Sequence, residues 1–185
     1  MILRPEKHAP RQNNGTRAAN RYDLSALRVR RAEPLDRTVL HLLFVDSWTR
    51  FWAPHLPAAA EATFRAKDPV SQFLDVSLQD LELAECDGTI IGVIFVHGDR
   101  LEDLHVAHRF QGRGVGRLLL RRAERLGARR LEVRAFNARA IRLYESAGWT
   151  RRQTYPTTEL GFLVQSHEYV APFVDQKRDS VVENV

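Results

Sequence analysis

The sequence holds a single cysteine, Cys86, in 185 residues. A lone thiol excludes a disulfide framework and any cysteine-based zinc site. Long apolar runs are missing as well. None approaches the roughly 18 residues of a membrane span, and the N-terminus carries no secretory pattern. The chain is therefore expected in the cytoplasm, without a membrane partner. Lysine is scarce too. Of 28 basic residues, only Lys7, Lys67 and Lys177 are lysines and 25 are arginines, whose planar fork suits phosphate and carboxylate. What remains is ample for one core: 44% of residues are hydrophobic, over a length that fits one domain of roughly 100–200 residues.

The net charge of +5 is unevenly spread. Residues 1–31 carry +6, 32–99 carry −7, 100–152 carry +9 and 153–185 carry −3. A basic stretch of that strength points to a polyanion, either a small phosphorylated molecule or nucleic acid. Nucleic-acid binding calls for exposed aromatics among the arginines or a known reader motif. The sequence has neither, so nucleic acid is not expected as a partner.

Residues 1–24 are polar and without periodicity and read as a flexible N-terminal tail; 25–174 read as one domain and 175–185 as a C-terminal tail. A short strand is predicted at 27–31, and helical spacing runs over 36–53 until the prolines at 54 and 57 break it. A second helix is predicted at 58–67 and a further turn at 69–76. The period then changes to two. Strands are expected at 81–86, 89–97 and 100–106, joined by turns at Asp87-Gly88 and Gly98-Asp99. A helix over 114–126, a strand over 130–135, a helix over 137–147 and strands at 149–155 and 167–174 complete an α/β fold around a mixed sheet.

The sharpest local signal is Gln111-Gly112-Arg113-Gly114-Val115-Gly116-Arg117, set between a strand and a helix. Glycines let a ligand approach the backbone, and the amides at a helix start, with about half a positive charge, suit phosphate. The loop does not match the dinucleotide fingerprint, which places two residues before its third glycine. It also does not match the nucleoside-triphosphate loop, which ends in Gly-Lys-Ser/Thr.

Three blocks in order resemble the GNAT superfamily of acetyl-coenzyme A-dependent N-acetyltransferases. They are Leu101, Leu104 and Val106; then Gln111, Gly114 and Gly116; then Asn137, Ala140, Tyr144, Glu145, Gly148 and Trp149. Residues 101–158 also resemble the bacterial alanine N-acetyltransferases that modify a ribosomal protein. The resemblance implies a single-domain GNAT-like fold, a mixed, mostly antiparallel central sheet flanked by helices. It implies acetyl-coenzyme A as co-substrate, with no metal. It implies transfer to a primary amine, of a small molecule or a protein N-terminus, by direct attack through a tetrahedral intermediate. The cofactor contacts it implies are Leu104, His105, Val106, Gln111, Gly112, Arg113, Gly114, Val115, Gly116, Arg117, Asn137 and Tyr144.

It further implies Tyr144 as general acid to the departing thiolate and Glu132 as general base, with Glu102, Asp103 and His105 as rivals and water as another option. The Val106 N–H is the oxyanion donor implied. Trp48, Phe51, Trp52 and His55 fall where the family shapes its acceptor groove. A non-catalytic coenzyme A-binding sensor is the alternative reading. A homodimer is left open.

Overall fold

Leu40, Leu43, Phe44 and Trp48 recur at helical spacing and are all buried, which is why residues Arg37–Phe51 close into α1. Burying one such side chain is worth about 1.5–3 kcal/mol, against about 0.2–0.5 kcal/mol for a surface pair such as Arg50 with Asp46. Packing on the sheet therefore decides this helix. Two more follow, α2 at Ala58–Lys67 and α3 at Pro69–Ser77. The expected turn at 69–76 is thus a full helix, begun by Asp68, whose carboxylate accepts from the Ser71 N–H at 3.1 Å, and by Pro69 at its first position.

The computed structural model describes residues 26–172. The proposed tails at 1–24 and 175–185 lie outside them. The strands are β1 (Arg28–Arg31), β2 (Leu81–Cys86), β3 (Thr89–His97), β4 (Arg100–Val106), β5 (Arg130–Arg134), β6 (Thr150–Glu159) and β7 (Phe162–Val170). With α4 (Val115–Arg125) and α5 (Ala138–Ser146) they form a seven-stranded sheet in the order β1-β2-β3-β4-β5-β7-β6. Every pairing is antiparallel except β4 with β5. Helices α1–α3 pack with Leu81, Leu83 and Val93 on one face. Helices α4 and α5 pack with Ala84, Ile94, Leu131 and Val133 on the other. The fold is the mixed, mostly antiparallel α/β sheet expected.

The single parallel pairing is short. Arg100 pairs with Arg130 and Leu101 with Leu131, and the two strands then part. On its other edge β4 stays paired with β3 as far as Val106. Ala107 N–H bonds Ile91 C=O at 2.9 Å. The alternation of an antiparallel ladder turns the backbone groups of Leu104 and Val106 the opposite way, into the gap beside β5.

The last hairpin differs from expectation. Strands were expected at 149–155 and 167–174, but β6 runs on to Glu159 and β7 starts at Phe162. Pro156 reads as a stop because it cannot donate to a ladder. On an edge strand the missing N–H costs nothing, and β6 is the sheet's outer strand. Leu160 and Gly161, both with positive φ, make the two-residue turn between them.

Candidate active site

Two cavities meet where β4 and β5 part. One, of about 490 Å³, lies over the glycine loop and the starts of α4 and α5. The other, of about 340 Å³, lies between α1, α2 and the outer halves of β4 and β5. Trp52, Leu104, His105, Asn137, Ala140 and Tyr144 line both. Tyr144 is only 7% exposed. Burial, reinforced by the charge of Asp103, pushes its hydroxyl well above the usual tyrosine range, so it stays protonated.

The larger cavity is built for an anion held by backbone. Gly112 and Gly114 sit at φ +75° and +88°, a conformation side chains resist, and nothing lies within 4 Å of where a Cβ would stand. Gly116 instead allows close packing, since its Cβ would meet Leu143 at 3.3 Å. The first turn of α4 has neither a capping side chain nor an acidic residue, leaving its amides to the cavity. Gln111 donates to Val106 C=O at 2.8 Å, while its side-chain oxygen is buried without a partner. Arg117, Arg139 and Arg142 stand at the rim. Asn137 caps α5 by accepting from the Ala140 N–H at 3.1 Å.

The smaller cavity has an aromatic wall and a charged wall. Trp48 and Phe64 stack at 3.9 Å and 4°, with Phe44 and Trp52 beside them. Opposite stand Glu102, Asp103, Glu132 and Glu159 with Arg100 and Arg134. Strand alternation sends Glu132 and Arg134 here and Leu131 to the core, while Val133, also in the core, reaches the cavity's edge. Glu132 is the hub. It accepts from Tyr155 Oη at 2.7 Å, from Arg100 at 3.1 Å and from Arg134. Arg134 also reaches Glu159 at 3.0 Å. Burial works to raise the Glu132 carboxyl, but hydrogen bonds from Tyr155 and Ser166, the charge of Arg134 and the hydrogen bond from Arg100 outweigh it and hold it below the usual carboxylate range.

Between the cavities runs a hydrogen-bonded chain. Ser47 Oγ lies 2.7 Å from His105 Nδ1, and His105 Nε2 lies 3.1 Å from Asp103 Oδ1. An aspartate carboxylate only accepts, so in the neutral ring Nε2 carries the proton and Nδ1 accepts from the Ser47 hydroxyl. Phe44 packs edge-on against the ring at 4.8 Å. Ser47 lines the larger cavity and Asp103 the smaller.

Residues 39–149 match the acetyltransferase (GNAT) family. The chain belongs to the GNAT acetyltransferase family. This acetyltransferase therefore takes acetyl-coenzyme A as co-substrate. Its fold is similar to that of YjaB from Escherichia coli, with a TM-score of 0.67 and 20% identity over 78% of this chain and 96% of that one. It is also similar to the PaiA N-acetyltransferase from Thermoplasma acidophilum, solved with coenzyme A (TM-score 0.58, 21% identity, 76% and 97% covered). A third similar structure is a ribosomal-protein-alanine N-acetyltransferase from Brucella melitensis (TM-score 0.56, 21% identity, 77% and 97% covered). No curated protein sequence matches the chain.

The residues of the GNAT enzyme's larger cavity fit coenzyme A: open glycine backbone, uncapped helix amides, a buried acceptor on Gln111 and arginines at the rim. Of the cofactor contacts expected, Leu104, His105, Val106, Gln111, Gly112, Gly114, Gly116, Arg117, Asn137 and Tyr144 line this cavity. Arg113 and Val115 do not: the Arg113 guanidinium lies over the Phe110 ring, 5.9 Å from its centroid, and Val115 is buried in the core. Ser47, Arg139 and Arg142 line it although sequence reading did not single them out. The i, i+3 spacing of the two arginines on α5 was the available signal. On the acceptor side Trp48 and Trp52 line the smaller cavity, Phe51 lines the larger, and His55 stacks on Phe136 at 4.6 Å. Among the described residues no cluster suits a metal ion, and no helix is long and apolar enough to cross a membrane.

Proposed function

We propose that residues 25–174 form a catalytic domain that acetylates a primary amine, of a small molecule or a protein N-terminus, by direct attack through a tetrahedral intermediate. The observation that carries this is the position of Tyr144 on the boundary of two cavities, one suited to coenzyme A and one lined by carboxylates. When bound, acetyl-coenzyme A supplies an activated acyl thioester.

The chain does the rest. Amides of the 112–116 loop and the α4 start hold the pyrophosphate. The Val106 N–H, facing the gap beside β5, is the donor for the oxyanion. Tyr144 stays protonated and donates a hydrogen bond to the departing sulfur, and the proton taken from the amine completes the thiol. An attacking amine must first lose a proton. Glu132, the first expectation for this task, has both oxygens engaged by Tyr155, Arg100 and Arg134. His105 is the better-placed base. Its Nδ1 takes a proton through the Ser47 hydroxyl, and Asp103 steadies the charged ring. Incubation with acetyl-coenzyme A and a panel of primary amines tests the proposal, with free thiol and acetylated product both measured. No amine-dependent thiol release across the panel would sink it.

A further inference from the structure

We infer that the acceptor is a small primary amine with an aromatic or bulky apolar skeleton and no carboxylate; this rests on the acetyl-transfer reading of the same site. The charged wall presents four carboxylates, Glu102, Asp103, Glu132 and Glu159, against two guanidinium groups, a formal surplus of two negative charges. That surplus favours an ammonium group. Both arginines are already ion-paired within the wall, Arg134 through all its nitrogens, while Arg100 keeps one buried nitrogen, Nε, without a hydrogen bond. Arg100 lies 3.1 Å from both Glu102 and Glu132, and Arg134 holds Glu132 and Glu159. A free amino acid would bring its own carboxylate into this surplus unmatched.

The opposite wall sets the rest of the molecule. Phe44, Trp48, Trp52 and Phe64 offer ring faces and edges to an apolar group and add attraction for a cation. A peptide backbone laid here would leave its amides without partners along that wall, which costs about 1–3 kcal/mol for each buried group. The wall holds one buried donor without a partner, the indole N–H of Trp48. It suits a single acceptor such as a ring hydroxyl. A volume of about 340 Å³ lies at the low end of small-molecule pockets.

The test uses the full chain and two readouts. Turnover compares 2-phenylethylamine, tyramine and tryptamine with phenylalanine, tyrosine and tryptophan, with spermidine, and with a peptide starting in alanine. Binding is read without acetyl-coenzyme A, as a saturable change in tryptophan fluorescence, since Trp48 and Trp52 line the cavity. The arylalkylamines are expected to exceed their matched amino acids in kcat/KM by about tenfold or more, and to bind where the amino acids do not. Glu102→Gln narrows that gap. Phe64→Leu raises KM for the aryl amines by a larger factor than for ethylamine. Phenylalanine binding as well as phenylethylamine, or preference for spermidine or the peptide, overturns the inference and leaves acetyl transfer standing. Saturable aryl amine binding without thiol release from any amine upholds the ligand class and overturns acetyl transfer.

Discussion

Ser47 and His105 are 58 residues apart in sequence, yet the serine hydroxyl donates to the imidazole at 2.7 Å, joining α1 to β4 at the junction of the two cavities. With Asp103 on the other ring nitrogen, the histidine has one accepting atom, and it faces the serine.

That polarity sets the first prediction. His105→Gln lowers kcat with an ordinary alkylamine by about 10²–10⁴-fold, the usual worth of a general base. The loss shrinks with weakly basic amines, which arrive already deprotonated. Glu132→Gln is expected to cost less and to show no such dependence on amine basicity. Rates for both variants across amines of graded basicity decide between the two residues.

Tyr144 is held protonated by burial and by the nearby Asp103 charge. Its folded-state pKa lies above the value of about 10 in the unfolded chain. Its contribution to stability is therefore full below pH about 10 and is lost as pH rises through the folded value. The rate should show no alkaline decline traceable to Tyr144 below pH about 10. A decline below that pH in wild type that disappears in Tyr144→Phe would contradict the reading.

Glu132 behaves in the opposite sense. Its carboxyl is held below the ordinary value of 4.5, so its stabilising effect is present above that pH and is lost as pH falls through the folded value. Chemical denaturation at pH 7 and pH 4 is expected to show a smaller acid-induced loss for Glu132→Gln than for wild type. Arg134→Met strips a partner from Glu132 and from Glu159 and should cost about 1–3 kcal/mol at pH 7.

Gly114→Ala tests the loop. At φ +88° an added Cβ costs about 1–2 kcal/mol of backbone strain. It would also stand in the open space over the loop, so the KM for acetyl-coenzyme A should rise more than kcat falls. A variant with lowered melting temperature and unchanged KM would place the cofactor elsewhere.

Local spacing made the cofactor side legible. The Gln111–Gly116 loop, the Asn137 cap and the Asp87-Gly88 turn each lie within a few residues, and backbone conformation alone dictates glycine or a capping side chain there. The acceptor side is assembled across the chain. Glu132 meets Tyr155 and, through Arg134, Glu159, both on a strand whose length was hidden by Pro156. Strand alternation showed which face Glu132 would take. It could not show that the face was already filled with donors. The pairing of Ser47 with His105 likewise depends on how α1 lies on the sheet, which helical periodicity does not specify.

The most direct measurement is thiol release from acetyl-coenzyme A by wild type and Tyr144→Phe, with and without a primary amine, beside coenzyme A binding by calorimetry. The expected result is one thiol per acetylated amine, none without amine, and a loss of about 10²-fold or more in kcat for Tyr144→Phe with coenzyme A affinity unchanged. Thiol release that needs no amine, or a Tyr144→Phe variant as fast as wild type, would contradict transfer across the boundary that Tyr144 occupies.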